Sequence, residues 1–323
     1  MQQDNYLNSR RQQHLADETG RSFDPRYLAA KKSIDDRALN HHVWETLRQT
    51  LPPGIDSEPV KILELGAGIG TMLERVVDWG VLTGPSDYLA TDVDPHQLRA
   101  ARKYLSNWAE KHGQNWSWGD DGGWLSTTRG EISLTLESAR AEELADRSDS
   151  LGPFHLIIAH AVLDLIDFPA VLPRLLSRLT NNGLAYFTCN FDGETVFLPH
   201  YEGEEEIIRR YHDSMEARLT GASHTGRRLL TFVQGAGLDI LAAGSSDWVI
   251  HPRRARYSPD ETFFLHAIIE TVERELAKKK SQPSDLANLT NWARLRHQQI
   301  ETGHLSFLAR HLDLLVQHHP ALP

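Results

Sequence analysis

Three glycines at alternate positions, Gly66, Gly68 and Gly70, interrupt the run Lys61-Ile-Leu-Glu-Leu-Gly-Ala-Gly-Ile-Gly-Thr-Met72. Without Cβ, such a turn tolerates positive φ and lets a ligand lie against the backbone. The G-x-G-x-G spacing differs from the G-x-G-x-x-G that seats a dinucleotide pyrophosphate on a helix N-terminus. Glu64, two positions before the first glycine, would repel a diphosphate but suits a ligand that carries an ammonium group. A second carboxylate, Asp92, ends the apolar stretch Tyr88-Leu-Ala-Thr-Asp92, 22 positions beyond Gly70. Nucleotide-binding α/β folds place an acid on a ribose about 20 residues past their glycines. A carboxylate there can accept from both sugar hydroxyls.

These groups need elements to hold them. Ile62 to Leu65 reads as a buried strand, and Ile69, Met72, Leu73, Val76 and Val77 recur at helical steps behind the turn. That combination begins a doubly wound α/β domain with its ligand on the turn. Asp94 is expected to cap the next helix, with Pro95 at its first position and Gln97 completing a capping box. Asp92 is then left for the ligand. Between Gly113 and Gly130 the pattern is irregular. Trp116, Trp118 and Trp124 there either line a pocket or staple a hairpin, the staple being preferred. Glu131 to Glu137 alternates as a third strand, and Phe154 to Ala159 forms a fourth. A helix from Phe168 to Leu179, a turn at Asn181-Asn-Gly183 and a fifth strand, Leu184 to Thr188, follow.

Glu64-Leu-Gly-Ala-Gly-Ile-Gly70 resembles motif I of the class I S-adenosylmethionine-dependent methyltransferases, and the spacing of Asp92 agrees. The resemblance covers roughly 61–250. It implies a seven-stranded, mostly parallel, doubly wound sheet and S-adenosyl-L-methionine as cofactor. The implied cofactor residues are Glu64, Gly66, Ala67, Gly68 and Gly70 at the amino-acid end, and Asp92 with Val93 at the ribose. Ala141 and Glu142 would lie at the adenine, although the family often carries an aspartate there. His160 would sit beside the transferable methyl. An N-terminal arginine can pair with the methionyl carboxylate in this family. Arg37 is the candidate here, and a solvated Arg37 paired with Asp35 or Asp36 is the alternative.

The implied organisation is an N-terminal helical cap (1–56), a cofactor-binding core (57–190), a lid (191–225) and the end of the core (226–252). A helical insertion (253–303) and a final strand with tail (304–323) complete it. Residues 1–24 read as polar and mobile, and 24–51 as helical. Ser258, Pro259 and Glu261 form a helix-start signature, and a second helix is expected over 284–301. His304 to Val316 alternates as a strand returning antiparallel to the sheet, with a terminal helix as the competing reading.

Composition narrows the function. A net charge of −10 disfavours a general nucleic-acid binder, since phosphate neutralisation needs a basic face. No window approaches the roughly 18 apolar residues of a membrane span, and Met1-Gln-Gln-Asp-Asn lacks the apolar stretch of a signal peptide. The single cysteine, Cys189, excludes an intramolecular disulfide. The expectation is a cytoplasmic enzyme that methylates an oxygen or nitrogen of a small-molecule acceptor. A protein or RNA methyltransferase, an aminopropyl transferase and a non-catalytic cofactor-binding module are the alternatives. Of 17 histidines, His160 and His224 are the catalytic candidates, each ranked first as a structural or orienting residue and second as a base. His311 and Asp313 could share a strand face and bind a metal, but two ligands without a third are weak evidence; no metal is expected.

Overall fold

The computed structural model describes residues 23–219, 221–278 and 283–318. The mobility expected for 1–24 falls almost wholly outside them. In chain order the main elements are α1 (Pro25–Ala38), α2 (His41–Thr50), β1 (Val60–Leu65), α3 (Thr71–Asp78), β2 (Ser86–Asp92) and α4 (Pro95–Lys111). Then come β3 (Ser117–Trp118), β4 (Gly122–Thr127), β5 (Gly130–Ser138), α5 (Ala141–Asp146), β6 (Phe154–His160), α6 (Phe168–Leu176) and β7 (Leu179–Leu198). The last are α7 (Glu204–Arg218), α8 (Thr225–Gly235), β8 (Asp239–Ser245), β9 (Trp248–Ile250), α9 (Pro259–Ala277), α10 (Pro283–Glu301) and β10 (Ser306–Gln317).

Two compact units share this chain. One is built from Arg37–Thr195, Met215–Trp248 and Leu308–Pro323, the other from Met1–Asp36, Val196–Ser214 and Val249–Phe307. The first is organised by the sheet, whose order is β3-β4-β5-β2-β1-β6-β7-β10-β8, with β9 pairing β10 off that path. β5, β2, β1, β6 and β7 run parallel, and β10 runs antiparallel to β8, as expected. Successive residues of a strand point to opposite faces, which explains the two cores. Ile62, Tyr88 and Ile158 pack with Val43, Leu47, Met72 and Leu105. Leu63, Ile157 and Ala159 pack with Leu144, Phe168, Leu172 and Leu229 on the other face. Burying each such side chain contributes roughly 1.5–3 kcal/mol.

The sheet has ten strands rather than seven. The tryptophan-rich segment accounts for two of the extra strands. It folds back as β3 and β4, with β4 antiparallel to β5. Trp116 and Trp118 stack at 5.0 Å while Trp124 is half exposed, so the stapled hairpin is what forms.

Four local expectations change. The helical pattern of 24–51 is two helices, because the Asn40 side chain accepts from the Val43 N–H at 3.1 Å while its own N–H donates to Asp313 at 2.8 Å. Asn181-Asn-Gly183 is not a separate turn but a bulge within β7. Phe154 pairs with Leu179 and Leu156 with Leu184, and Asn182 absorbs the slack at φ 62°. β7 itself runs on to Leu198 through the start of the expected lid, and α6 stops at Leu176. Finally, the capping box of Asp94 with Gln97 does not close. The Asp94 N–H donates to Asp92 at 2.9 Å instead, and the Asp94 side chain accepts from His96.

The second unit is mostly helical. Ser258 and Glu261 form the expected reciprocal cap on α9. Tyr27 stacks on Phe264, and Phe197, Phe307 and Trp292 form an aromatic cluster with centroids 5.0–5.5 Å apart. Glu204 and Arg296 are buried beside it. One Glu204 oxygen accepts from Trp292 Nε1 at 2.6 Å and from Arg296 Nε and Nη2 at 3.0 and 2.5 Å. Arg296 Nη1 donates to the carbonyl of Pro199 and to Gln299.

Candidate cofactor site at the carboxyl edge of the sheet

The parallel register brings the sequence-predicted groups to one edge. Leu65 pairs with Thr91 and with Ala159, so Gly66, Asp92 and His160 leave their strands side by side. Asp92 in turn pairs with Ser138, which places Ala141 and Glu142, the first residues of α5, just past the end of the neighbouring strand. Gly66, Gly68 and Gly70 have φ of 66°, 55° and 83°. A Cβ on Gly66 would lie 2.7 Å from the Val162 side chain, so both conformation and space demand glycine.

The turn is tied down from both sides. The Ala67 N–H donates to the Thr91 carbonyl at 2.8 Å, and Thr91 Oγ1 donates to the Glu64 carbonyl. Gly68 N–H donates to Asp92 at 2.8 Å, which links the two motifs directly. Asp92 therefore accepts one backbone N–H on each oxygen and retains lone pairs for further donors. Burial raises its pKa, and the N–H groups of Asp94 and Gly68 act against that rise. Next to it, Val93 is 43% exposed.

Glu64 lies under the turn rather than on its surface, at 1% exposure. Its carboxylate accepts from the Tyr88 hydroxyl at 2.8 Å. Burial pushes its pKa up to about 7, against the Tyr88 hydrogen bond and the nearby Arg75 guanidinium. Arg75 is fully buried on α3 and donates to Thr71 Oγ1 at 3.2 Å. Its Nη1 also lies 3.5 Å from His160 Nε2, and His160 Nδ1 lies 2.8 Å from Thr188 Oγ1. Guanidinium only donates, so this geometry has Nε2 accepting and Nδ1–H donating to Thr188.

Sequence reasoning missed Arg75, Tyr88 and Thr188. The available signal was Arg75 itself, a charge set among the buried positions Met72, Leu73 and Val76 of a short helix. Arg37, in the last turn of α1, is exposed. His224 belongs to a different cluster, in the turn Ala222–His224 that precedes α8. Glu216 accepts the N–H groups of Gly221 and Ser223 and the Ser223 hydroxyl, which in turn lies 2.8 Å from His224 Nδ1. That turn packs on the turn Leu163–Leu165 that follows His160. His311 and Asp313 do not converge as a ligand pair. Asp313 accepts the Cys189 and Asn40 N–H groups, while His311 packs against Trp248 and Phe191.

The last two positions of the sheet reverse chain order, β10 lying before β8, beside the parallel run β5-β2-β1-β6-β7, and the sheet is mostly parallel as the resemblance to the class I methyltransferases implies. No protein-family description and no curated protein matches the chain. Solved structures do. A candidate methyltransferase from Bacillus halodurans has 11% identity and a TM-score of 0.47, over 87% of this chain and 100% of that one. A candidate sarcosine dimethylglycine methyltransferase from Galdieria sulphuraria has 14% identity and a TM-score of 0.44, over 89% and 86%. The mycolic acid cyclopropane synthase CmaA1, solved with SAH and CTAB, has 12% identity and a TM-score of 0.43, over 88% and 83%. Among the described residues no helix is long and apolar enough to cross a membrane.

Proposed function

We propose that this chain binds S-adenosylmethionine and transfers its methyl group, in line, to an oxygen or nitrogen of a small-molecule acceptor. The observation that carries this reading is the direct bond between the glycine turn and Asp92, which would join the proposed amino-acid and ribose subsites at one sheet edge. Backbone at Gly66, Ala67, Gly68 and Gly70 would hold the amino-acid end, with the Glu64 carboxylate beneath it. Asp92 would take the ribose hydroxyls, and Val93, Ala141 and Glu142 the adenine. Arg37 is the proposed partner of the methionyl carboxylate.

Bound there, the cofactor supplies an already activated sulfonium methyl, so the chain needs little acid–base machinery. Its task is to hold an acceptor about 3–3.5 Å from the methyl carbon and to keep water out. His160, with a protein partner at each ring nitrogen, serves this reading as an orienting group rather than a base. His224 is the proposed acceptor-side histidine, held in place by Ser223. The net charge of −10 supports a small acceptor over a nucleic acid.

Calorimetric titration with S-adenosylmethionine tests the reading, with the decarboxylated cofactor as the comparison that an aminopropyl transferase would prefer. Asp92→Ala is expected to weaken binding by about 1–3 kcal/mol, the loss typical of charge-assisted hydrogen bonds. Unchanged affinity in a folded variant would remove the ribose assignment. A screen of acceptors with radiolabelled methyl donor then identifies the substrate.

A further inference from the structure

α9 and α10 bring two imidazoles together edge to edge. The ring centroids of His266 and His297 are 4.9 Å apart with planes 25° apart, and their Nδ1 atoms point at each other across 2.7 Å. Two ring nitrogens at that distance must share one proton, since two lone pairs or two N–H groups would repel. The other nitrogen of His266, Nε2, lies 2.8 Å from Glu301. A carboxylate accepts, so Nε2 carries the proton and the Nδ1 lone pair of neutral His266 faces His297. A carboxylate behind the remote nitrogen of an imidazole is the arrangement that orients metal-bound histidines and raises their basicity. His297 and Glu301 are also four residues apart, which places them on one face of α10.

We propose that His266 and His297 form a binding site for a divalent transition-metal ion such as Zn²⁺, with Glu301 as its outer carboxylate. The ion takes the position of the shared proton. Neutral His297 gives up its Nδ1 proton and gains one at Nε2, so no net proton is lost and both Nδ1 lone pairs turn to the metal. Zn–N bonds of about 2.0–2.1 Å in tetrahedral geometry set the two nitrogens roughly 3.3 Å apart. The rings therefore need to part by only about 0.6 Å, a small adjustment between two helices. The side chain of Glu301 is 68% exposed and that of His266 is 16% exposed, so the ion reaches the site from solvent and water completes its shell. The site is independent of methyl transfer. It departs from the sequence-based expectation of no metal, because the two histidines are 31 positions apart and meet only when the helices pair.

Zn²⁺ titration of the full chain, followed by calorimetry and by the imidazole ¹⁵N resonances of labelled histidine, tests this. The wild type should bind one more Zn²⁺ than His297→Gln, and the Nδ1 resonances of both His266 and His297 should move on saturation. The difference matters because other surface histidines can bind Zn²⁺ as well. Glu301→Gln keeps both ligands at an exposed position, and should weaken the site roughly 10–100-fold without abolishing it. S-adenosylmethionine binding, measured on the same samples, should be equal in all three proteins. Equal Zn²⁺ stoichiometry in wild type and His297→Gln, or unmoved Nδ1 resonances in the wild type, would leave a shared-proton hydrogen bond and overturn the proposal.

Discussion

Arg296→Met should destabilise the protein by about 3–5 kcal/mol, the usual result of removing one partner from a buried ion pair. The variant leaves Glu204, a nearly buried carboxylate, with Trp292 Nε1 in place of three donors. It also strands the Pro199 carbonyl that Arg296 satisfies. The asymmetry is the informative part. A double change, Glu204→Leu with Arg296→Met, removes both charges together, and should cost markedly less than Arg296→Met alone. Urea unfolding midpoints of the three proteins decide it. A single-variant loss under about 1 kcal/mol would mean that water reaches Glu204 and screens it.

Glu64→Gln should change the pH dependence of stability. Burial lifts the Glu64 pKa from 4.5 to about 7. Between those values the folded chain keeps a proton that the unfolded chain releases, so stability must fall as pH rises. The contribution is fully present below pH 4.5 and lost by the time pH passes 7. The shift corresponds to on the order of 3 kcal/mol. Glutamine still accepts from Tyr88 and does not titrate. Relative to wild type, Glu64→Gln should therefore gain stability as pH rises, the gap widening by up to about that amount between pH 4 and pH 8. Chemical unfolding at both pH values measures it, and a gap independent of pH would show that Glu64 does not titrate in this range. Above pH 7, where folded Glu64 is ionised, the same variant should bind S-adenosylmethionine more weakly, because it removes the negative charge beneath the proposed ammonium position.

The features that were legible in the amino-acid sequence are those whose causes are local. Ser258 and Glu261 cap α9 across three residues, and the glycine turn has its conformation written into three side-chain-free positions. Asp92 could be placed at the end of β2 because strand ends and helix caps have recognisable neighbours. The misreadings share a different cause, a partner far along the chain. Asn40 divides one helical pattern into two partly because Asp313, 273 positions away, takes its N–H. The Asp94 box fails because Asp92 claims the same N–H. Arg75 meets His160 only once β6 lies beside β1, and Glu204 meets Arg296, 92 positions away, only once α10 is in place. Side-chain periodicity reports which face is buried. It does not report which polar group waits on that face.

The position of β10 has a consequence for how the protein is made. This strand lies between β7 and β8 in the sheet, yet it is synthesised after both and after α9 and α10. While a ribosome is still adding the residues before 306, β8 has no β10 to pair with. Unpaired strand edges of this kind invite association between nascent chains. Late insertion of one strand into a gap left by two others also relies on contacts distant in sequence, which slows folding. Chaperone capture of stalled chains that end just before Ser306, and its loss once Gln317 has cleared the exit tunnel, would be the signature in a cell-free translation reaction.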